Sequence, residues 1–329
     1  MFGFGNVVKF DSIIMSTGKM YAMGGYGNPA SASSVVQSYN LASGAVATGT
    51  AMSRAEWTGA GFSNQIIGMQ CGGYSGSAPL SSALYMRFAD DTANSWTWTS
   101  TTMPGTQRNN RGTSSPNKGF SWAGYRDGTG DLTVNWQFVY ATSVWNTGTA
   151  LPLAATVAGG YPFIHSTAIQ ALWVGGSNDS GSSRPKQQMI YTFANDSTNY
   201  TQTGGPLYAG FGAACGDSTN MIMISAYQGT ASFPANPVTT INKLTVSSGA
   251  LSAATTVPTA FRLNDAAGSA FVGICAGCAQ GDAPTPAQTE GAYNYSADTY
   301  TLLTAYLGGS NIYSVKRENV ACFSSAQTD

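Results

Sequence analysis

Charged side chains are scarce in this sequence of 329 residues. Asp, Glu, Lys and Arg make up 9% of the chain, against roughly a quarter in an average soluble protein. The formal net charge is −1, so no strong field draws the chain towards nucleic acid or an anionic membrane surface. Hydroxyl and amide side chains must therefore supply most of the surface groups that bind water.

Histidine is almost missing, because His165 is the single one. That count excludes zinc sites built from several imidazoles. A Ser-His-Asp triad could use His165, but the G-x-S-x-G elbow is absent, and we interpret His165 as structural. Among the five cysteines, Cys275 and Cys278 have metal-knuckle spacing without a second pair. We therefore expect structural thiols, with no metal and no cofactor.

Long apolar runs and helical periodicity are also lacking. No window approaches the roughly 18 apolar residues of a spanning helix, so we expect no membrane insertion. The first nine residues, Met1 to Lys9, show no basic region followed by an apolar run, which predicts that there is no signal peptide. Alternation of apolar and polar residues dominates instead, and it predicts strands.

What the sequence does contain is a repeat. Six copies of a short apolar strand each end on two small residues. The second small residue is Gly25, Gly73, Gly124, Gly176, Ala226 and Gly277, with spacings of 48, 51, 52, 50 and 51. A period of this size indicates a solenoid, an array or a propeller.

Each repeat contains the same parts. A turn-rich loop follows the small pair, and an alternating strand, a turn and a further strand come next. A linker carrying Met or Pro and Arg, such as Met52 to Arg54, leads to a strand of small residues, such as Trp57 to Ser63. Four antiparallel strands in about fifty residues match one propeller blade.

The chain ends predict how the ring closes. Residues 316–324 align with residues 54–63, but no Gly-pair strand follows them. We therefore predict that the C-terminal strand completes the first blade, which leaves no unpaired edge. Residues 19–329 form a single propeller domain in this interpretation, and residues 1–18 are an extension or an extra edge strand.

The Gly pair, the aromatic after it, the later Trp and the Met/Pro-Arg linker resemble the kelch repeat, most closely over residues 20–118. The resemblance implies an all-β fold, a six-bladed kelch-like β-propeller with four antiparallel strands per blade. It does not specify an activity, because kelch-type propellers serve as enzymes, adaptors and ligand binders. Copper oxidases of this type need several His ligands, so that branch is excluded.

Loops on one face of the ring are the predicted binding surface, since alternate loops of a meander share a rim. Aromatic rings near Arg and Asp are typical of sugar and peptide recognition. Asp127 lies near this group in the sequence, and packing between blades is the alternative role for the recurring Tyr. The predicted binding residues are Tyr26, Tyr74, Tyr125, Tyr227, Arg54, Arg108, Arg126 and Asp179.

Three functions stay open. We expect a non-enzymatic structural or recognition component of a virus particle, a bacteriophage tail or capsid appendage. It would be present in multiple copies, and its expected partners are other virion proteins and a host surface glycan. The alternatives are a cytoplasmic kelch-type protein- or glycan-binding module and a carboxylate-dependent enzyme acting on glycans. Most acidic residues lie in turns, where Asp is common, so no catalytic residue is predicted.

Overall fold

A computed structural model describes residues 18–27, 31–151, 163–175, 188–201, 209–210, 212–228, 237–258, 265–269, 271–276, 291–303 and 321–324. Almost all regular structure in these ranges is β-strand, with one short 3-10 helix at Phe88–Asp90. The strands form a six-bladed β-propeller with four antiparallel strands per blade. The predicted fold class is confirmed.

We describe the strands of each blade, from the axis outwards, as inner, second, third and outer. The inner strands of blades 1 to 6 are Ala321–Ser324, Ala60–Ser63, Arg111–Ser114, Phe163–Ser166, Ala213–Gly216 and Asp265–Gly268. The second strands are Lys19–Met23, Ile67–Cys71, Lys118–Trp122, Gln170–Val174, Asn220–Gln228 and Val272–Ala276.

The third strands are Val36–Asn40, Leu80–Arg87, Asn135–Val139, Gln188–Thr192, Pro237–Thr245 and Gly291–Asn294. The outer strands are Val46–Thr48, Thr99–Gln107, Val144–Thr147, Ser197–Thr201, Leu251–Thr256 and Thr299–Leu302. A short pair of two-residue strands is added to blade 1 and another to blade 3, and the strand Ala209–Gly210 extends blade 5. These pairs are Tyr26–Gly27 with Ser31–Ala32 and Tyr125–Arg126 with Gly130–Asp131.

The ring closes as the sequence predicts. The C-terminal strand pairs antiparallel with the first Gly-pair strand, with Tyr21 opposite Phe323 and Met20 opposite Ser324. Each inner strand contacts the inner strands of both neighbouring blades. The inner strands therefore surround the axis, where the six blades converge.

The hydrophobic core is divided among the six blade interfaces, and one cluster of buried residues lies at each. Phe62 of blade 2 packs with Trp136 and Phe138 of blade 3, for example. The interface across the closure joins Met20 of blade 1 to Ile274 of blade 6. A blade thus buries its faces only against its neighbours, so ring closure stabilises every blade.

Backbone conformation explains the Gly pair. Gly72 and Gly73 have φ angles of 65° and 95°, and successive positive φ values strongly favour glycine. Close approach adds to this, because a Cβ on Gly73 would lie 2.9 Å from the Trp57 carbonyl oxygen. Where Ser225 and Ala226 replace the pair in blade 5, the strand instead continues to Gln228 with an irregular register between Ile224 and Ala226.

Residues 1–17, which the sequence predicts to be an extension or an extra edge strand together with Gly18, lie outside the described residues.

Candidate functional site

The two faces of the ring are built from different connections. We name the loop face after the connections between second and third strands (72–79 and 123–134) and the linkers between blades (52–59 and 108–110). The turn face carries the turns between inner and second strands (64–66, 115–117, 167–169 and 217–219). The predicted binding residues belong to the loop face.

Four side chains form a continuous stack on the loop face, which we name the Arg108 stack: Trp57, Tyr74, Arg108 and Tyr125. Trp57 and Tyr74 meet edge to face, with ring centroids 5.7 Å apart. The Arg108 guanidinium carbon lies 4.8 Å from the Tyr74 ring centroid and 4.8 Å from that of Tyr125. A guanidinium at this distance from a ring is attracted to its π face. The cation is therefore held between two tyrosines.

Backbone pairing sets the order of the stack. Trp57 pairs with Tyr74, with N to O distances of 3.1 and 2.8 Å. Arg108 pairs with Tyr125 in the same way, at 3.0 and 2.7 Å. In both pairs, a linker residue is joined to the residue that follows a small pair. The next linker residues, Thr58 and Asn109, both have positive φ, at 61° and 57°.

Asp127 completes the site electrostatically. Nη2 of Arg108 lies 3.1 Å from Oδ1 of Asp127, and the two side chains are 26% and 49% exposed. The Nε of Arg108 is buried and has no hydrogen-bond partner within the described part of the chain. The site thus presents a fixed cation, a carboxylate and two aromatic rings at a partly exposed edge.

Arg54 does not join the Arg108 stack. Its Nε donates to Glu56 at 2.6 Å and its Nη2 donates to Gln70 at 2.7 Å. Glu56 is fully buried. Burial raises the pKa of the Glu56 carboxyl to about 7, and the adjacent Arg54 guanidinium opposes that rise. Arg54 therefore neutralises a buried carboxylate between blades 1 and 2.

Arg126 also has a packing role. Its guanidinium lies 5.8 Å from the Trp136 ring centroid, and its Nε donates to the Thr106 carbonyl oxygen at 3.0 Å. Of Tyr26 and Tyr227 the structure describes the backbone: Tyr26 pairs with Ala32, and Tyr227 pairs with Pro237 and Gly210. Asp179 lies outside the described residues. The structure thus brings together Tyr74, Arg108 and Tyr125.

Trp57 is the stack member that sequence reasoning missed. Its linker position matches that of Arg108, three residues before the inner strand. The repeat alignment could have found it, but the two side chains differ too much to be recognised as equivalent by type.

A cavity of about 880 Å³ follows the axis and opens on the turn face, where His165 and Asp217 line it. His165 Nε2 lies 2.9 Å from the Asp217 carbonyl oxygen, a contact that requires Nε2 to donate. Burial lowers the pKa of the His165 imidazole, and the hydrogen bond to that carbonyl opposes the fall. The Asp217 carboxylate accepts the Thr219 and Asn220 amides at 2.7 Å. The His165 side chain therefore connects the inner strand of blade 4 to the turn of blade 5, and the Asp217 side chain holds that turn in place.

Comparison with known proteins adds no family to this picture. No protein-family model matches the chain, and the search of curated proteins gives no match. Within the described ranges, no group of three or more His, Cys, Asp or Glu could hold a metal ion. None of the described helices is long and apolar enough to cross a membrane.

Proposed function

We propose that the protein is a non-enzymatic, kelch-type recognition component of a virus particle, a bacteriophage tail or capsid appendage. Its loop face would bind a neighbouring virion protein or a host surface glycan. The Arg108 stack is the observation that carries this proposal. It combines two Tyr rings, a guanidinium and the Asp127 carboxylate at one partly exposed edge.

Preorganisation favours binding at this edge. Two backbone pairs hold the stack, and Arg108 is held between two rings. A ligand therefore finds these side chains already ordered and loses little affinity to side-chain entropy. Arg and Asp offer paired donors and acceptors for hydroxyl or amide groups, and aromatic edges add apolar contact.

The carboxylates that already have partners within the fold favour a binding protein over a glycan-hydrolysing enzyme. A glycosidase needs two carboxyl groups that face a substrate, one of them free to donate a proton. Many of the described carboxylates are already engaged by neighbours: Glu56 by Arg54, Asp91 by Lys19 and Tyr21, Asp127 by Arg108, Asp196 by Gln137, Asp217 by backbone amides and Asp298 by Tyr293.

Composition is the argument for a virus particle. A chain with 9% charged residues and 40 glycines is hydrated by hydroxyls and amides, as are many extracellular and particle surfaces. A cellular kelch-type module would use the same loop face, so the two functions differ in location and share the site.

A glycan array tests recognition, and particle proteomics tests location. We expect wild type to bind a defined glycan set, Arg108→Ala to lose at least tenfold in affinity, and Arg87→Ala to bind normally. Arg87 is the matched control because it is exposed at the turn-face end of a third strand. Quantitative mass spectrometry should find the chain in purified particles at a fixed copy number. Unchanged binding by Arg108→Ala removes the site, and absence from particles removes the virion assignment.

A further inference from the structure

The axial cavity is surrounded by the edges of strands. The inner strands of blades 2 to 6 line it, at residues 61–62, 112–114, 164–166, 214–216 and 266–267. Among the described strands, each of these five lies at the edge of its sheet and is paired only with the second strand of its blade. Every other residue of an edge strand directs its amide and carbonyl away from its partner. These backbone groups therefore face the axis, where water or a ligand must bind them.

Hydroxyl side chains add to these polar groups. Ser114, Ser166, Ser218 and Ser269, from blades 3, 4, 5 and 6, all line the cavity. Ser114 is 4% exposed, and its Oγ has no hydrogen-bond partner among the described residues. Buried hydroxyl groups nearly always have a partner. The Ser114 oxygen is therefore available to a hydroxyl group of a ligand.

His165 and Asp217 supply acceptors on the turn-face side. His165 Nε2 donates to the Asp217 carbonyl oxygen at 2.9 Å, so the neutral imidazole keeps Nδ1 as an acceptor. Oδ1 of Asp217 accepts both turn amides, which leaves Oδ2 to accept a further hydrogen bond. Asp217 is the only charged side chain among the described residues that line the cavity. The cavity therefore offers many hydrogen bonds and little net charge.

Size and apolar contacts narrow the class of ligand. The volume of about 880 Å³ lies within the range of roughly 300–1,000 Å³ that is usual for small-molecule sites. Ile169, Ile190 and Val246 supply apolar surface on the side of blades 4 and 5. Hydrogen-bonding groups beside apolar side chains match a sugar, which carries hydroxyl groups around C–H faces.

Arg111 narrows the axis at the loop face. Its side chain is 6% exposed, and its Nη2 donates to the Gly212 carbonyl oxygen at 3.4 Å. The contact joins the starts of the inner strands of blades 3 and 5, so the arginine spans the width of blade 4. This arrangement favours a compact ligand that enters from the turn face over a chain that runs along the axis.

We propose that the axial cavity binds a neutral saccharide of mono- or disaccharide size. The sugar hydroxyls would bond to the amides and carbonyls of the inner strands, to Ser114 and to Oδ2 of Asp217. The Ile169 side chain would cover a C–H face of the sugar. The inference is independent of the proposed function, because the Arg108 stack lies on the opposite face.

Saturation-transfer difference NMR with the full chain tests the proposal. The probes are D-glucose, D-galactose, D-mannose, N-acetyl-D-glucosamine, maltose and trehalose, and we expect saturation transfer to at least one of them. Ala168→Trp should abolish the transfer, because Ala168 is an exposed turn residue that lines the cavity and an indole there would fill the mouth. Ala141→Trp is the matched control. Ala141 is exposed in a turn on the same face and does not line the cavity, so the transfer should stay unchanged.

Titration calorimetry with the sugar that binds then tests the contact with Ser114. Ser114→Ala should lower the affinity several-fold while the fold is kept, because the hydroxyl that it removes makes no hydrogen bond to the described residues. The proposal is overturned by an absence of transfer to every probe, by transfer that survives in Ala168→Trp, or by wild-type affinity in Ser114→Ala.

Arg108→Ala distinguishes the two faces of the ring. Transfer that is lost in Arg108→Ala and kept in Ala168→Trp would place the sugar at the loop face, which overturns the cavity site and supports the proposed function. Transfer that is lost in Ala168→Trp and kept in Arg108→Ala supports the cavity site alone.

Discussion

Arg108, in the linker between blades 2 and 3, and Tyr125, in a loop of blade 3, are joined twice. Their backbones exchange hydrogen bonds of 3.0 and 2.7 Å, and the guanidinium of Arg108 lies 4.8 Å from the Tyr125 ring centroid. The linker between blades 2 and 3 is thereby fastened to the loop that follows the next small pair. One contact thus serves both ring assembly and the proposed binding edge.

Arg108→Ala should destabilise the fold, because two cation–π contacts disappear. Each is worth about 0.5–1 kcal/mol at a partly exposed site, so we expect a loss of about 1–2 kcal/mol in the free energy of urea unfolding. Arg108→Lys should recover only part of it, since an ammonium lacks the planar surface that stacks between rings. Full recovery by Lys would show that charge, and not stacking, holds the site.

Glu56 should make stability fall as pH rises. Its pKa in the folded state is raised from 4.5 to about 7, so the folded chain binds the proton more tightly than the unfolded chain. The resulting stabilisation is fully present below pH 4.5 and is lost as pH rises through about 7. Linkage sets its size at up to about 3 kcal/mol.

Urea unfolding of wild type and Glu56→Gln at pH 5 and pH 7.5 measures this contribution. Gln keeps the shape and can accept from Arg54 but does not titrate. The stability difference between the two pH values should therefore be smaller in Glu56→Gln. An identical pH dependence in both proteins would mean that the carboxyl titrates normally.

Gly73→Ala and Gly76→Ala should differ although both glycines have positive φ, 95° and 97°. A Cβ at Gly76 meets nothing within 4 Å, whereas at Gly73 it lies 2.9 Å from the Trp57 carbonyl oxygen. Backbone strain alone costs about 1–3 kcal/mol, and Gly73→Ala should cost clearly more than Gly76→Ala in thermal unfolding. Equal losses would assign the whole effect to φ.

Phe323→Pro should open the ring. Residue 323 is paired with Tyr21 within the closing strand, and proline there has no N–H to donate to the ladder and is disfavoured inside a sheet. Because each blade packs only on its neighbours, we expect a lower Tm and a less cooperative transition by calorimetry. A Tm and a cooperativity equal to those of wild type would show that the closing strand does not hold the ring.

Much of the fold could be predicted because a clear copy of the repeat identifies the matching strand in a less clear copy. The strand at residues 221–227 is ambiguous alone, but its spacing from Gly176 and Gly277 identifies it as a Gly-pair strand. The alignment of residues 316–324 with residues 54–63 likewise predicted the closure that Tyr21 and Phe323 make. Both inferences use only chain order and period.

The candidate site was predicted less completely. Arg54 and Arg108 have similar linker contexts, yet Arg54 turns towards the buried Glu56 while Arg108 stacks between tyrosines. The Arg54 partner, Glu56, lies two residues along the chain, whereas the Arg108 partners Tyr74 and Tyr125 come from loops outside its linker. Local sequence therefore indicates the first pair and does not indicate the second.

The sequence by itself determined the all-β class, the six blades and the closing strand, because periodicity and the spacing of small residues are written along the chain. Only the tertiary structure decided which arginine is held between aromatic rings, and that the axial cavity opens on the opposite face. The stack depends on contacts that join a linker to two loops, where Arg108 meets Tyr74, 34 positions before it, and Tyr125, 17 positions after it, at distances that no linear pattern encodes.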